Sequence, residues 1–256
     1  MEGNFKYYNP TKLFFGKESL KNLKKELEQY GSTIMLSYGG GSIKTNGIYT
    51  QIIEILQSAG KTIIDDGGVM PNPTVEKMYD GAKKVREHSV DFILAVGGGS
   101  TIDYAKGVSA SAYCEEDPWQ KYYIRQENPS CKLVPIGAVL TMVGTGSEMN
   151  GGSVITNHGQ NLKIGKIFGA ELMPKFAVLN PEFTFSVPKY QISSLSIYFK
   201  FVQPENASSS TTQFLGINTS LHLTPLKASF PMYLNVSGSV ISSNLVAPEK
   251  VNSSIL

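Results

Sequence analysis

The first 191 residues alternate between short continuous apolar runs and segments whose apolar residues recur every three or four positions. Such runs are typical of strands buried on both faces, and the longer spacing is typical of amphipathic helices. The runs predict strands at 5–8, 12–15, 33–36, 61–64 and 92–96. Helices are predicted at 18–28, 48–56, 72–88 and 101–112, with Gly31 ending the first and Asn72 as the N-cap of the third.

After Trp119 the pattern changes to strand-like pieces at 133–136, 153–156, 162–164 and 176–179. Apolar strands that alternate with helices favour a parallel sheet covered by helices on both faces. The predicted fold class is therefore α/β, with one Rossmann-like nucleotide-binding domain over residues 1–191.

Composition argues against several classes of function. The 23 basic and 21 acidic side chains are intermixed along the chain and give a formal net charge of +2. This balance offers no basic surface for nucleic acid or for an acidic membrane. The N-terminus lacks the pattern of a signal peptide, and no segment approaches the roughly 20 apolar residues of a membrane helix. The sequence predicts a cytoplasmic protein whose two cysteines, Cys114 and Cys131, are free and reduced.

The last 65 residues differ from the rest of the chain. They contain five charged side chains, no Asp, and many Ser, Thr and Asn residues. They show no sustained helical period. We therefore treat 192–256 as a separate, divergent tail that is expected to be poorly ordered.

Two glycine-rich loops directly follow predicted strands. Their residues are Gly39, Gly40, Gly41 and Ser42 in the first loop, and Gly97, Gly98, Gly99, Ser100 and Thr101 in the second. Glycines let a ligand approach the backbone closely, and the free amides at a helix N-terminus suit a pyrophosphate. Neither loop has the G-x-G-x-x-G spacing, and either one alone is compatible with a ligand-free turn. Together, at two strand ends, they favour one dinucleotide that spans the sheet.

Further polar residues are candidates near these loops. Asp103 and Lys106 are one helical turn apart, and they either share a face near the site or form an ion pair on the helix surface. Lys163 either meets a phosphate or is a solvated strand residue. The three histidines, at 88, 158 and 222, lack the spacing of metal ligands. The residues by themselves supply no catalytic acid, nucleophile or metal site.

The run from Thr141 to Glu148 is rich in small hydroxyl residues, among them Thr145 and Ser147. It either hydrogen-bonds a ribose, phosphate or carboxamide or forms a polar loop without a ligand. Composition alone leaves both interpretations open.

Five motifs, in this order, resemble those of the iron-containing (group III) alcohol dehydrogenases: YGGGSIKTNG at 38–47, GVMPNP at 68–73, GGGSTIDYAK at 97–106, LTMVGTGSEMN at 140–150 and FAVLNP at 176–181. The similarity is strongest to the branch of butanol dehydrogenases and NADPH-dependent aldehyde reductases, and it runs from about 5 to 191. It implies a nucleotide-binding domain of the dehydroquinate synthase-like type, followed by an all-helical metal domain. In such enzymes divalent iron or zinc polarises the substrate oxygen while the nicotinamide exchanges a hydride with a primary alcohol or aldehyde.

The resemblance also implies roles for the candidate residues. Gly40 and Ser42 would lie at the adenosine ribose, Gly98, Gly99 and Ser100 at the pyrophosphate, and Asp103 near the nicotinamide. The residues implied to complete the cofactor site are Thr141, Thr145, Ser147 and Lys163.

Cofactor choice follows from the first loop. Family members that prefer NAD often have an Asp just after the first strand of this domain, where Tyr38 and Gly39 stand here. With no carboxylate there to repel a 2′-phosphate, and with Ser42 and Lys44 nearby, the sequence predicts NADPH over NADH, although NAD stays an alternative.

The tail departs from the family pattern. The family has a metal-binding Asp, a His four residues later and two further histidines, whereas the tail holds only His222. We therefore expect a frame change or truncation near Gln191, with loss of the helical metal domain and its iron or zinc ligands. The expected consequences are weakened NADPH binding, poor solubility and no measurable alcohol oxidation.

Three functions stay open from the sequence. The first is an NADPH- and metal-dependent dehydrogenase acting on a small alcohol or aldehyde of the butanol type. The second is a non-catalytic nucleotide-binding remnant, and the third is an enzyme like glycerol dehydrogenase or dehydroquinate synthase. The GVMPNP and TGSE runs favour the first over the third. The strands within 5–15 are also able to pair across a homodimer.

Overall fold

The protein is described by a computed structural model that covers residues 8–187, 210–214 and 217–221. Its strands are β1 (Lys12–Phe15), β2 (Thr33–Tyr38), β3 (Thr62–Asp66), β4 (Phe92–Gly97), β5 (Ile136–Leu140), β6 (Gly152–Asn157), β7 (Leu162–Ile167), β8 (Phe176–Leu179), β9 (Ser210–Phe214) and β10 (Ile217–Leu221). Its α-helices are α1 (Asn22–Leu27), α2 (Ser42–Thr45), α3 (Ile48–Ser58), α4 (Val75–Glu87) and α5 (Gly99–Ser111).

Six of these strands form one parallel sheet in the order β1-β8-β5-β4-β2-β3. Every pair in it is parallel, as in β2 against β4, where Ile34 is opposite Phe92. Parallel strands need crossover connections, and α3, α4 and α5 provide them between β2 and β5. The predicted α/β class with a parallel Rossmann-like sheet is confirmed.

The sheet is buried on both faces because successive residues of its strands point to opposite sides. In β2, Ile34 and Leu36 belong to the core beneath α1 and α3, whereas Met35 belongs to the core beneath α4 and α5. Helix α1 contributes Leu23 and Leu27 to the first core. This two-sided burial explains the uninterrupted apolar runs in the sequence.

The second core also holds a smaller layer next to the sheet. Strands β6 and β7 form an antiparallel hairpin, and a π-helix at Trp119–Ile124 packs beside it. Trp119 stacks on Tyr123, and its indole nitrogen donates a hydrogen bond to Gln160 Oε1 at 2.8 Å. Outside the six-stranded sheet, the hairpin is held by this aromatic packing and by hydrogen bonds, among them the one that the Thr156 amide donates to the Pro73 carbonyl at 2.9 Å.

Asp66 is the most heavily bonded carboxylate in the described part of the chain. It is fully buried at the end of β3, where Oδ1 accepts hydrogen bonds from Lys77 Nζ and Lys84 Nζ, both at 2.9 Å. Oδ2 accepts from Ser37 Oγ at 3.0 Å and from Tyr104 Oη at 2.8 Å. These bonds join β2, β3, α4 and α5 around one charge.

Most predicted elements are found within a few residues of their expected ends, but three predictions were wrong in detail. The N-cap of α4 is Thr74, whose side chain accepts from the Lys77 amide, and Asn72 instead has a left-handed backbone with φ of 57°. The fifth strand is Ile136–Leu140 rather than 133–136, and α1 ends at Leu27, before Gly31.

Some predictions fall partly or wholly outside the described residues. The strand at 5–8 is one, since only Tyr8 is described and it is not in a strand. The domain boundary at Gln191 is another, so it stays a prediction, as does the disorder of the tail. Within the tail, β9 and β10 form an antiparallel pair.

Strand β1 pairs with β8 inside the sheet, and no strand of the described ranges pairs with its other side. The predicted pairing across a homodimer therefore stays a prediction. None of the helices in the described ranges is long and apolar enough to cross a membrane.

Candidate functional site

The two glycine-rich loops lie at the carboxyl ends of neighbouring strands. Gly39 follows β2 and Gly98 follows β4, and these strands are adjacent in the sheet. The chain runs from β2 outward to β3 and then returns to β4 on the opposite side of β2. In open parallel sheets, ligands bind in the crevice where the strand order reverses in this way.

The loop after β4 is tightly packed, and its glycines are required by that packing. A Cβ on Gly97 would lie under 3.0 Å from Thr101 Oγ1, and a Cβ on Gly99 would lie under 3.0 Å from Thr145 Oγ1. The Thr141 amide donates to the Gly97 carbonyl at 3.0 Å. The segment after β5 therefore closes over the start of α5.

The first amides of α5 are available to a ligand. Gly98 is the N-cap of this 13-residue helix, and its carbonyl accepts from the amides of Thr101 and Ile102. Among the described residues, the amides of Gly99 and Ser100 have no acceptor. Free amides and the positive end of the helix dipole together form a site suited to a phosphate.

The loop after β2 has the opposite character because it is open. A Cβ on Gly40 or Gly41 would meet nothing within 4 Å. Gly41 has φ of 111°, a left-handed conformation that favours glycine, and it precedes Ser42 at the start of α2. Packing within the protein therefore does not explain Gly40, whereas a ligand approaching the backbone would.

Asp103 and Ser147 are bonded to each other rather than directed into open space. Ser147 is buried and its Oγ donates to Asp103 Oδ1, while the Val154 amide donates to Asp103 Oδ2 at 3.1 Å. Burial raises the pKa of Asp103, although Lys106 acts in the opposite direction. The two side chains are in direct contact, and their polar atoms connect α5 to the segment between β5 and β6.

Lys106 is fully buried, so its interpretation as a surface ion pair was wrong. Its ammonium group lies 3.9 Å from Asp103 Oδ1 and donates hydrogen bonds to oxygen atoms of the segment 147–152. Burial lowers the pKa of Lys106 to about 8. The sequence suggested the Asp103–Lys106 spacing but gave no sign that this lysine is buried.

Lys163 reaches back to the crevice from β7. Its Nζ donates to Asn72 Oδ1 at 2.6 Å, and the Asn72 amide approaches Ser100 Oγ at 3.4 Å. The left-handed backbone of Asn72 lies between the exposed lysine and the start of α5. Lys163 therefore lies on the same side of the sheet as the second glycine-rich loop.

An exposed carboxylate lies beside the first loop, where the prediction of NADPH assumed that there is none. Asp65, at the end of β3, accepts hydrogen bonds from Tyr38 Oη at 2.9 Å and from Tyr49 Oη at 2.9 Å. The Lys44 ammonium lies 5.0 Å from the ring centre of Tyr38 and 4.7 Å from that of Tyr49. We name Tyr38, Lys44, Tyr49 and Asp65 the acid–tyrosine cluster. The premise that this end of the site lacks a carboxylate was wrong, because β3 brings one from a distant part of the sequence.

The described residues contain no group of three or more His, Cys, Asp or Glu side chains able to hold a metal ion. His88 is the C-cap of α4, His158 lies in the turn between β6 and β7, and both cysteines are free thiols. The segment after Gln191 lies outside the described ranges. The described donor set therefore does not fit a catalytic metal.

Comparisons with known proteins match this part of the chain. A family model described as iron-containing alcohol dehydrogenase matches residues 10–181. The chain is 46% identical over 187 residues to a probable NADH-dependent butanol dehydrogenase 1 of Bacillus subtilis, covering 73% of this chain and 47% of that protein. It is 36% identical over 194 residues to the NADPH-dependent aldehyde reductase YqhD of Escherichia coli, covering 75% of this chain and 49% of that protein.

A solved structure described as NADH-dependent butanol dehydrogenase A from Thermotoga maritima has the same fold. It superposes with a TM-score of 0.69 at 38% identity, covering 73% of this chain and 47% of that one. The chain spans about half the length of the curated relatives it matches.

Proposed function

The chain belongs to the iron-containing alcohol dehydrogenase family, and from that premise we propose that residues 8–187 bind a nicotinamide dinucleotide for the interconversion of a primary alcohol and its aldehyde. Relatives are named as butanol dehydrogenases and as an aldehyde reductase, which supports alcohol and aldehyde oxidoreduction. Four-carbon substrates of the butanol type are our proposal for this chain.

One observation carries the proposal. In the second loop, packing explains the glycines, because a side chain at Gly97 or Gly99 would clash with a threonine. In the first loop it does not, because Gly40 faces open space. A dinucleotide would use both, with its pyrophosphate at the free amides of α5 and its adenosine ribose beside the open loop. A turn without a ligand would require neither a glycine at position 40 nor unpaired amides at Gly99 and Ser100.

The remaining residues have supporting roles in this proposal. Gly40 and Ser42 would contact the adenosine ribose, and Gly98, Gly99 and Ser100 the pyrophosphate. Thr141 and Thr145 lie over the start of α5, on the side toward which the nicotinamide would extend. Asp103 and Ser147 are bonded to each other, which favours a supporting position behind the nicotinamide over direct contact.

A bound nicotinamide would supply the hydride acceptor or donor for the reaction. Alcohol oxidation transfers a hydride to the cofactor and releases one proton, giving the aldehyde. Because the described residues do not fit a metal ion, we derive no step through one.

We further propose that the cofactor is NADP(H) rather than NAD(H). Lys44 is an exposed cation two residues beyond Ser42, and the Tyr38 hydroxyl raises its pKa, so it is charged at neutral pH. Asp65 opposes this preference, but both of its close partners are hydroxyl donors that delocalise part of its charge. The preference therefore depends on the balance between one lysine and one aspartate.

The binding proposal is tested by measuring NADPH affinity by calorimetry in Gly40→Val. The added side chain has room in the free protein, so the free energy of unfolding should stay unchanged while Kd rises about 10-fold or more, equivalent to about 1.4 kcal/mol. Gly165→Val is the matched control, because Gly165 is exposed on β7 and an added Cβ there would make only an ordinary contact with the Val154 side chain. Equal Kd values for Gly40→Val and wild type would contradict the proposed site.

The cofactor preference is tested by two opposite substitutions. Lys44→Gln should weaken NADPH about 10-fold, the loss of one charge-assisted contact, and leave NADH nearly unchanged. Asp65→Asn should increase the preference for NADPH. Tighter binding of NADH than of NADPH by the wild type would refute this part of the proposal.

Assays of butanal and butanol turnover, each run with and without added iron or zinc, separate the functions that remain. NADPH oxidation with butanal supports the dehydrogenase. Cofactor binding without turnover supports the non-catalytic nucleotide-binding remnant, and turnover of glycerol but not butanol supports the glycerol dehydrogenase-like alternative.

A further inference from the structure

We propose that Lys106 is a positioning residue for the cofactor: its side chain fastens the segment 147–152 to α5 and so keeps Thr145 in place over Gly99. The proposal rests on the cofactor site proposed above. It assigns a role to a residue that makes no contact with the open crevice.

The Lys106 ammonium group lies within hydrogen-bond distance of four oxygen atoms of the segment 147–152. Nζ donates to the Ser147 carbonyl at 2.7 Å, to Ser147 Oγ at 2.9 Å, to Asn150 Oδ1 at 3.1 Å and to the Gly152 carbonyl at 2.8 Å. Two of these four oxygen atoms belong to the backbone. One side chain therefore fixes both ends of a six-residue segment that has no strand pairing between Ser147 and Gly151.

Asp103 adds a second attachment one helical turn earlier. Its carboxylate accepts from Ser147 Oγ and from the Val154 amide, and its carbonyl accepts from Ser153 Oγ at 2.7 Å. Lys106 and Asp103 thus connect α5 to both the beginning of β6 and the segment before it. Gly146, which directly precedes this segment and has φ of 65°, lies next to Thr145.

Thr145 connects the segment held by Lys106 to the proposed cofactor site. It contacts Gly99 so closely that a Cβ on the glycine would lie under 3.0 Å from Thr145 Oγ1, and this same oxygen accepts from the Ser147 amide at 3.3 Å. Ser147 is thus bonded to Thr145 on one side and to Lys106 on the other. Loss of the Lys106 contacts would therefore free Thr145 to move away from Gly99 at the start of α5.

The fastening depends on the protonated form of the lysine. An ammonium group has three N–H donors for the four oxygen atoms, whereas the neutral amine has two donors and a lone pair that faces oxygen. Two carboxyl groups face the ammonium, Asp103 on its own helix and Glu148 on the following segment, and both raise its pKa against the lowering effect of burial. The contacts from Asn150 and β6 are uncharged oxygen atoms.

Because burial lowers the pKa of Lys106 to about 8, the group loses its proton within an accessible pH range. If the cofactor requires the segment 147–152 to be held in place, it binds more tightly to the protein whose Lys106 is protonated. The affinity of the protein for the cofactor should therefore fall above this pH. A lysine with only a packing role would change protein stability without giving cofactor binding this pH dependence.

The experiment measures NADPH Kd for wild type and Lys106→Arg from pH 7 to 9.5. We expect the wild-type Kd to rise about 10-fold across this range. Lys106→Arg should bind as tightly as wild type at pH 7 and show a flat profile, because arginine keeps its charge throughout. A flat wild-type profile, or the same rise in the arginine variant, would overturn the proposal.

Two further measurements keep the result interpretable. If Lys106→Arg does not fold, Asn150→Ala is measured in its place. This variant should raise the Kd for NADPH about 3-fold at pH 7 and keep the pH dependence of wild type. An unchanged Kd at pH 7 contradicts the proposal. If wild type binds no NADPH at any pH, the proposed function fails. In that case the attachment of the segment 147–152 to α5 is tested separately, by amide hydrogen exchange. Faster exchange of 147–152 in Lys106→Met than in wild type supports the attachment, and an equal rate contradicts it.

Discussion

Replacing Asp66 by Asn should be among the most damaging single changes in the sheet domain. The substitution keeps the size of the side chain but removes the charge that Lys77 and Lys84 share. Both ammonium groups would then face each other across a neutral amide. The one carbonyl oxygen of asparagine faces either the two lysines or the Ser37 and Tyr104 hydroxyls, so one of these two pairs of donors loses its acceptor.

The magnitude follows from burial. Removing one partner of a buried ion pair costs about 3–5 kcal/mol because the remaining charge is left without compensation. Asp66 is fully buried, but the Lys77 and Lys84 side chains are 15% and 35% exposed and are able to regain some water contact. We therefore expect a loss near the lower limit, about 3 kcal/mol. With a urea dependence of about 2 kcal/mol per molar, this shifts the unfolding midpoint by about 1.5 M.

The effect should also depend on pH in a defined direction. Burial raises the pKa of Asp66, but the hydrogen bonds from Lys84, Lys77 and Tyr104 and the charge of Lys77 act in the opposite direction and bring the pKa below its usual value. A carboxyl group whose pKa is lowered on folding stabilises the protein above its unfolded pKa of about 3.9, and that stability is lost as pH falls through the folded value. The difference between wild type and Asp66→Asn should thus be constant above pH 5 and shrink at lower pH.

Urea unfolding followed by Trp119 fluorescence measures both effects, since Trp119 is buried in the same domain. Asp65→Asn is the matched control, because it removes the neighbouring carboxylate at an exposed position bonded only to tyrosine hydroxyls. It should cost less than about 1 kcal/mol. Equal losses for the two variants, or a loss below about 1 kcal/mol for Asp66→Asn, would refute the reasoning.

Three further substitutions test packing that the structure makes specific. Gly81→Ala should lower the free energy of unfolding by about 1–2 kcal/mol, measured in urea, because its Cβ would lie under 3.0 Å from Tyr104 Oη while helix propensity recovers part of the loss. Ser109→Ala should cost about 2 kcal/mol in the same assay, because Ser109 Oγ both donates to the Val134 carbonyl at 2.6 Å and accepts from its amide at 3.1 Å in a buried position. Gly99→Ala should raise the calorimetric Kd for NADPH about 10-fold, and an unchanged Kd would contradict the role given to the start of α5.

The buried strands could be predicted because apolar side chains indicate burial in any context. Strand β8 was predicted at its exact residues, and β4 to within one residue. Strand β5 was displaced because the backbone of Val134 is bonded to Ser109, a partner 25 residues away, so pairing with β4 begins only at Ile136 opposite Ile93. Hydrophobicity identifies a strand, but its bounds depend on partners that the local sequence does not show.

The charged residues of the site were harder to predict for a related reason. A lysine three residues after an aspartate on a helix has the same pattern whether it is exposed or buried. For Lys106, burial is decided by the segment 147–152, which begins 41 residues later. Asp65 likewise reaches the first loop only because β3 pairs beside β2, and Asp66 gains its cations from α4. Glycine-rich loops were easier to identify, since their function depends on backbone that the local sequence specifies.

The pairing of β1 with β8 has a consequence for the order of synthesis and folding. Lys12 pairs with Phe176, so the first strand of the sheet to be translated has no partner until nearly the whole domain has been made. At about 5–20 residues per second, that interval is roughly 10–30 s. During it, the apolar residues Leu13 and Phe15 lie on an unpaired strand, which is a template for aggregation. A nascent chain that pauses before Leu179 would therefore need a chaperone on its N-terminal strand, even while the central strands of the sheet are already complete.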